Sequence, residues 1–133
     1  MAEGIAQHLL QKKGLLEWQA CSAGVFAADG ADTSQLAIKA LSNRGIQFEG
    51  SSKSLNTKMI MAAQAVYCMT PSHLQSALSL APAASHIELL DSTEPILDPI
   101  GQSQEVYDAV ASRLEQLIKD KITLLLSATK EKD

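Results

Sequence analysis

The segment Asp98-Pro99-Ile100-Gly101 carries the residue of this sequence that is best suited to acid–base chemistry. A proline disfavours helical backbone in the residue before it, so Pro99 holds Asp98 in an extended loop, and Gly101 permits a sharp turn. An aspartate held on such a loop can act as a general acid. On spacing alone, the simpler interpretation is a turn without a catalytic role.

The elements that must position this loop alternate between short apolar runs and helical patterns. Three runs are predicted strands: Leu15 to Gly24, which ends in the loop Ser22-Ala23-Gly24, then "AVYCM" at 65–69 and "HIELL" at 86–90. This alternation predicts an α/β fold, a doubly wound parallel sheet between two layers of helices. Ligands of such sheets bind on loops after the carboxyl ends of strands, where Ser22 and Asp98 are both expected.

Five helices are expected between and around these strands. The last is the clearest, because apolar residues repeat on one face from about Ser103 to Leu125. The apolar face of this last helix comprises Val106, Val110, Leu114, Leu117 and Ile118. The others have local start and stop signals. The first helix contains Ile5 and Leu9 and ends at Gly14, the third is capped near Asn56 or Thr57, and the fourth starts at Thr70-Pro71. The second has Thr33 or Ser34 as its cap and Gly45 as its stop, with a buried stripe of Leu36, Ala37, Ala40 and Leu41.

Composition limits the possible functions. With 133 residues the chain forms one domain, predicted at 1–126, followed by a polar tail at 127–133. The net charge of −4 offers no basic surface for nucleic acid, and the apolar runs are too short to cross a membrane. The two cysteines, Cys21 and Cys68, are expected to be buried in a protein of the reducing cytoplasm. His8, His73 and His86 lack metal-ligand spacing and are expected at the surface, so neither a metal nor a cofactor is predicted.

Three segments occur in an order and spacing similar to a known family. They are Ser22-Ala23-Gly24, "VYCMT" at 66–70 and "LDPIGQSQEVYDAVASRLEQLI" at 97–118. The chain resembles the low-molecular-weight protein tyrosine phosphatases from Met1 to about Ile122. In that family, Met-Ala-Glu follows a first strand and a Cys-x-x-x-x-x-Arg-Ser phosphate loop. Because this sequence begins at Met1-Ala2-Glu3, the resemblance implies a phosphotyrosine protein phosphatase I-like fold that is truncated at its N-terminus, without that strand and loop.

The resemblance also implies roles for individual residues. Asp98 would protonate the leaving group and then, as a base, activate water against a phosphocysteine. Ser22 would support the phosphate loop by hydrogen bonding. Ile100 would form a wall of the substrate pocket, where tyrosine-specific relatives carry aromatic residues and bacterial members, including those acting on phosphoarginine, do not. Since the family's cysteine and arginine are absent, the chain is predicted to be inactive on its own.

Three functions compete at this point. The first is hydrolysis of phosphorylated protein or a small phosphomonoester in complete relatives, through a phosphocysteine. The second is a non-catalytic relative that binds a partner or a phosphorylated ligand. The third is an arsenate reductase, disfavoured because Cys68 has no second cysteine a few residues away. If the first strand is missing, a gap between "LEWQA" at 16–20 and "AVYCM" would expose strand edges, which predicts self-association through that gap.

Overall fold

The computed structural model describes residues 1–24, 34–48, 50 and 53–132, and within these ranges the chain forms five helices and two short strands. Contacts divide the chain into a helical unit (Met1–Ser22, Thr33–Gly50 and Pro99–Asp133) and a sheet unit (Ala23–Asp32 and Ser51–Asp98). In chain order the elements are α1 (Ala2–Lys12), α2 (Gln35–Ser42), α3 (Thr57–Ala62), β1 (Val66–Cys68), α4 (Pro71–Leu80), β2 (Ile87–Leu89) and α5 (Gln104–Lys132).

In the helical unit, α5 packs against both α1 and α2. The buried face of α5 is rotated by about one residue from the predicted one, toward Tyr107 and Ala111. Leu114 and Ile118 are buried as expected, but Val106 is exposed and Val110 and Leu117 are only partly buried. The residues that complete the buried face, at helical spacing, are Tyr107, Ala111, Leu114, Ile118 and Ile122.

The ends of α1 and α2 follow the local signals of the sequence. Gly14 has φ +72° directly after α1, a conformation that glycine adopts without steric cost, so the predicted end of this helix is confirmed. Ser34 caps α2 by accepting a hydrogen bond from the Ala37 N–H at 3.2 Å. The alternative cap, Thr33, lies outside the described residues. Gly45 follows the end of α2 by three residues, also with positive φ.

The predicted stripe of α2 is correct at three of its four positions. Ala37, Ala40 and Leu41 are buried, whereas Leu36, near the start of the helix, is exposed. After the end of α2, Arg44 forms an ion pair with Glu115 of α5, with its Nε donating to Oε2 at 2.7 Å. The pair adds a polar link between the α2 end and α5.

The sheet unit is built on two parallel strands. β1 and β2 pair with Val66 opposite Ile87 and Cys68 opposite Leu89, which confirms both predicted strands. Helix α4 lies against both strands, and Thr70 caps it by accepting from the His73 N–H at 3.2 Å. Helix α3 has its cap at Asn56, one of the two predicted positions. The core of this unit consists of Ile60, Cys68, Ala77 and Ala81.

The predicted strand from Leu15 to Gly24 does not form. The described backbone there consists of turns and irregular structure, and Leu16 is 81% exposed. Only Gly24, at the end of the run, forms an isolated parallel bridge, to Ser54. One of the two strands expected to flank the gap is therefore absent from the described residues, and self-association through the gap stays a prediction.

Side chains of α1 explain this difference. The Ala20 N–H donates to Gln7 Oε1 at 3.0 Å, and the Ser22 N–H donates to Glu3 Oε1 at 2.7 Å. These two backbone donors are spaced as they would be along one edge of a strand, but they bond to a helix instead of to a neighbouring strand. The N–H groups of Ala20 and Ser22 therefore have acceptors without joining a sheet.

The C-terminal part of α5 includes most of the residues expected as a polar tail, since the helix continues through 127–132. Residue 133 lies outside the described residues. Among the helices of the described part of the chain, including the 29-residue α5, none is both long and apolar enough to cross a membrane.

Candidate active site

The segment before Asp98 is held at the carboxyl end of β1. The Ile96 N–H donates to the carbonyl oxygen of Met69, the residue directly after β1, at 2.9 Å, and the Ile96 side chain is buried. Two residues further on, Asp98 is exposed. The carboxylate thus follows an anchored backbone at the strand end, which is where α/β proteins place their ligand sites.

Upstream of Ile96, a second carboxylate shapes the loop that leaves β2. Asp91 Oδ1 accepts from the Thr93 N–H at 2.9 Å, from the Thr93 hydroxyl at 2.7 Å and from the Glu94 N–H at 3.3 Å. Asparagine and aspartate side chains stabilise turns in this way. The loop between β2 and Asp98 is therefore tied at both ends, by Asp91 and by Ile96.

The residues after Asp98 form a turn that leads into α5. Pro99 is buried, its carbonyl accepts from the Gln102 N–H at 2.9 Å, and Gly101 has φ +79°. Ser103, directly before α5, then accepts from the Val106 N–H at 3.4 Å, a long cap bond. Within this turn, Ile100 is 73% exposed, so its aliphatic side chain is open to contact with a bound molecule.

Ser22 lies beside the first turn of α1. Its N–H and its hydroxyl both donate to the same oxygen, Glu3 Oε1, at 2.7 and 2.9 Å. Sequence reasoning did not identify Glu3 as part of this group. A signal was available, because Glu3 and Gln7 share one face of α1, and Ala20 and Ser22 share one edge of an extended segment.

Neither cysteine is placed as a phosphatase nucleophile. Cys68 is 7% exposed in β1, and burial raises the pKa of its thiol, which opposes formation of the reactive thiolate. Cys21 is exposed, so its expected burial was wrong; it lies on the segment that does not form a strand. In the sequence, the sixth residue after each cysteine is Ala27 or Leu74, where a phosphate loop has arginine.

The three histidines do not form a metal centre. His8, His73 and His86 are partly buried instead of fully at the surface, and a ring nitrogen of His86 lies 2.7 Å from the Ile60 carbonyl oxygen. Across the residues that the structure describes, no group of three or more His, Cys, Asp or Glu side chains could hold a metal ion.

Comparison with known proteins identifies the family of this chain. Residues 1–132 match the family described as low molecular weight phosphotyrosine protein phosphatase. A protein-arginine-phosphatase of Geobacillus stearothermophilus is 34% identical over 120 residues, which cover 86% of this chain and 81% of the relative.

Solved structures show the same likeness. An arginine phosphatase from Geobacillus stearothermophilus superposes with a TM-score of 0.86 at 32% identity, covering 98% of this chain and 88% of that one. A low molecular weight protein tyrosine phosphatase from T. tengcongensis gives a TM-score of 0.85 at 34% identity, covering 92% and 87%. The chain belongs to the low molecular weight phosphotyrosine protein phosphatase family, and the α/β fold expected from its sequence is confirmed.

Proposed function

We propose that these 133 residues carry the acid–base part of a phosphatase site, with Asp98 as the proton donor and acceptor. The observation that supports this most directly is the exposed Asp98 carboxylate on a backbone anchored to the end of β1 by the Ile96–Met69 hydrogen bond. A general acid must be presented to the substrate and held in place, and this segment meets both requirements.

The proposed chemistry follows from the breaking of a bond to phosphorus. A cysteine thiolate attacks phosphorus, the bond to the leaving group breaks, and the leaving group departs with the electron pair of that bond. Asp98 donates its proton to the leaving group, which avoids release of a strongly basic anion. The resulting carboxylate then accepts a proton from water as the water oxygen attacks the phosphocysteine, which releases phosphate and the thiolate.

On their own, the 133 residues do not complete this cycle. Within them no cysteine is followed by arginine at the spacing of the phosphate loop, and Cys68 is buried with a raised pKa. The nucleophile and the anion-binding loop would have to be supplied in addition.

The proposed substrate is a phosphorylated protein side chain, with phosphoarginine favoured over phosphotyrosine. The exposed Ile100, two residues after Asp98, presents an aliphatic surface that matches the methylene groups of arginine and offers no aromatic ring for stacking. The Geobacillus stearothermophilus relative is named a protein-arginine-phosphatase, which supports the same substrate class.

The test compares the 133 residues alone with the same residues joined behind a first strand and a Cys-x-x-x-x-x-Arg-Ser phosphate loop of the family pattern. The isolated 133 residues should not hydrolyse p-nitrophenyl phosphate above background. The joined chain should be active, with a higher kcat/KM on a phosphoarginine peptide than on a phosphotyrosine peptide, and Asp98→Asn should lower kcat on the phosphoarginine peptide by about 10²–10⁴-fold. The loss should be smaller on p-nitrophenyl phosphate, because its leaving group needs less protonation.

Asp120→Asn is the matched control, since Asp120 is an exposed aspartate on α5 that accepts a local hydrogen bond from Gln116 at 3.1 Å. This variant should keep the activity of the joined chain. Equal losses for both variants, or a joined chain that folds but has no activity, would contradict the proposal. Activity of the isolated 133 residues that disappears in Asp98→Asn would refute the statement that they are inactive alone.

A further inference from the structure

A cavity of about 280 Å³ lies in the helical unit, beside the C-terminal half of α2. Its lining consists of Ile38 and Ser42, one helical turn apart on α2, and of Ile46, Gln47 and Phe48, which follow the helix. The Ile46 side chain is buried, whereas Ser42 and Gln47 are exposed. The polar groups are therefore the more accessible part of the lining, and the aliphatic groups the deeper part.

Hydrogen bonds hold the chain after α2 against the helix. The Gly45 N–H donates to the Ser42 carbonyl oxygen at 3.0 Å, and the Ile46 N–H donates to the Leu41 carbonyl oxygen at 2.9 Å. Gly45 has φ +77°, a backbone conformation that glycine adopts without steric cost, so the chain can reverse here. The backbone at Ile46 is therefore fixed relative to α2, and with it one wall of the cavity.

Two glycines leave room for the Phe48 ring at the cavity. A Cβ atom at Gly4 of α1 would lie 3.0 Å from Phe48 Cγ, and a Cβ atom at Gly50 would lie 2.6 Å from Phe48 Cζ. Carbon atoms in favourable contact are about 3.5–4.0 Å apart, so a larger residue at position 50 would displace the ring. The place of this ring in the cavity wall therefore depends on the absence of a side chain at Gly50.

We infer that this cavity is a binding site for a small uncharged aromatic molecule that carries one hydroxyl group. Phe48 offers a ring against which a second ring can pack, offset or edge to face. The Ser42 hydroxyl and the Gln47 amide can each donate and accept a hydrogen bond, so they can pair with the hydroxyl of the ligand. The inference does not rest on the proposed phosphatase function.

The charge and the size of the ligand follow from the lining. None of the described residues that line the cavity is charged, so a charged ligand would lose its hydration without gaining an opposite charge. An apolar cavity of about 150 Å³ holds benzene, so one of about 280 Å³ has room for a ring with small substituents. p-Cresol, a benzene ring with one methyl and one hydroxyl group, is the probe of this class. For a ligand of this size we expect a Kd of about 1 mM.

The first measurement titrates p-cresol into the chain of 133 residues and follows the isoleucine methyl groups by NMR. The methyl signals of Ile38 and Ile46 should shift along one saturable curve. Ile100 is 73% exposed and does not line the cavity, so its signals should stay in place. Shifts of Ile100 equal to those of Ile38 and Ile46, or no saturable shift at Ile38 and Ile46 up to about 10 mM p-cresol, would overturn the inference.

The charge of the ligand is tested with p-hydroxybenzoate, which has the same ring and hydroxyl group but a carboxylate in place of the methyl group. It should bind about tenfold more weakly than p-cresol, or not at all, because its charge meets no cation among the described lining residues. Equal affinities of the two compounds would overturn the assignment of an uncharged ligand.

Two substitutions should close the site by different routes. Gly50→Ala displaces the Phe48 ring, and Ile38→Phe fills the cavity from α2; each should raise the Kd of p-cresol about tenfold or more. Leu36→Ala is the matched control, because Leu36 is an exposed residue of the same helix that does not line the cavity, and the Kd should not change. A folded Ile38→Phe chain that binds p-cresol like the parent would overturn the inference, whether or not Gly50→Ala folds.

The hydroxyl group of the ligand is tested with a double variant, Ser42→Ala with Gln47→Ala. This variant should bind p-cresol about 3- to 10-fold more weakly, through the lost hydrogen bonds. Toluene, which has the ring and the methyl group without the hydroxyl, should bind the parent and the double variant equally. An unchanged affinity for p-cresol, or an equal loss for toluene, would overturn the assignment of the hydroxyl group.

Discussion

Truncation of Leu114 to alanine tests the packing of α5 in the helical unit. Leu114 is 3% exposed, and the change removes three buried carbon atoms. At about 0.8 kcal/mol for each, the lost burial amounts to about 2.4 kcal/mol. The cavity left on a helix that packs against both α1 and α2 adds to this value. The expected loss in the free energy of unfolding is therefore about 2–5 kcal/mol, as for other buried leucines.

Urea unfolding, followed by the fluorescence of the single tryptophan, Trp18, measures this loss. With a slope of about 1–3 kcal/mol/M, a loss of about 3 kcal/mol moves the midpoint by roughly 1–3 M at an unchanged slope. Leu124→Ala is the control on the same helix, because Leu124 is 62% exposed. Its truncation should change stability by less than about 0.5 kcal/mol. Equal effects of the two substitutions would refute the burial of Leu114.

Three other predictions concern single contacts. Ellman's reagent should titrate one thiol per native chain, Cys21, and both after denaturation; rapid reaction of Cys68 in the native chain would contradict its burial. A double-mutant cycle on Arg44 and Glu115, both partly exposed, should give a coupling of about 0.2–1 kcal/mol that decreases with salt, whereas a salt-independent value would point to another origin. Thr70→Ala should cost about 1 kcal/mol in urea unfolding and Thr70→Ser much less, since only the hydroxyl caps α4.

The elements that the sequence predicts correctly are those whose signals are local. Thr70 and Pro71 start α4 because a side-chain cap and a fixed φ act within one turn of the helix. Val66–Cys68 and Ile87–Leu89 form strands because each is a short apolar run between polar or turn residues. The start of α4 depends on no distant residue, whereas each of the two strands also needed the other as its pairing partner.

The segment from Leu15 to Gly24 shows what local signals cannot determine. Its sequence is compatible with a strand, and the backbone at Ala20 and Ser22 directs N–H groups as a strand would. Whether those groups enter a sheet depends on their acceptors. Here the acceptors are Gln7 and Glu3 of α1, and pairing across 13 and 19 positions is a property of the tertiary structure.

The candidate site divides in the same way. Pro99 and Gly101 act on their immediate neighbours, so the loop around Asp98 could be predicted from the sequence, and its anchor at Ile96 could not. Reactivity is still less visible in residue types. Cys68 has the thiol group that a phosphatase nucleophile needs, but burial raises the pKa of this thiol, so it keeps its proton. A nucleophilic cysteine must instead lose its proton to form a thiolate. For this reason the proposed chemistry of Asp98 requires a cysteine other than Cys68.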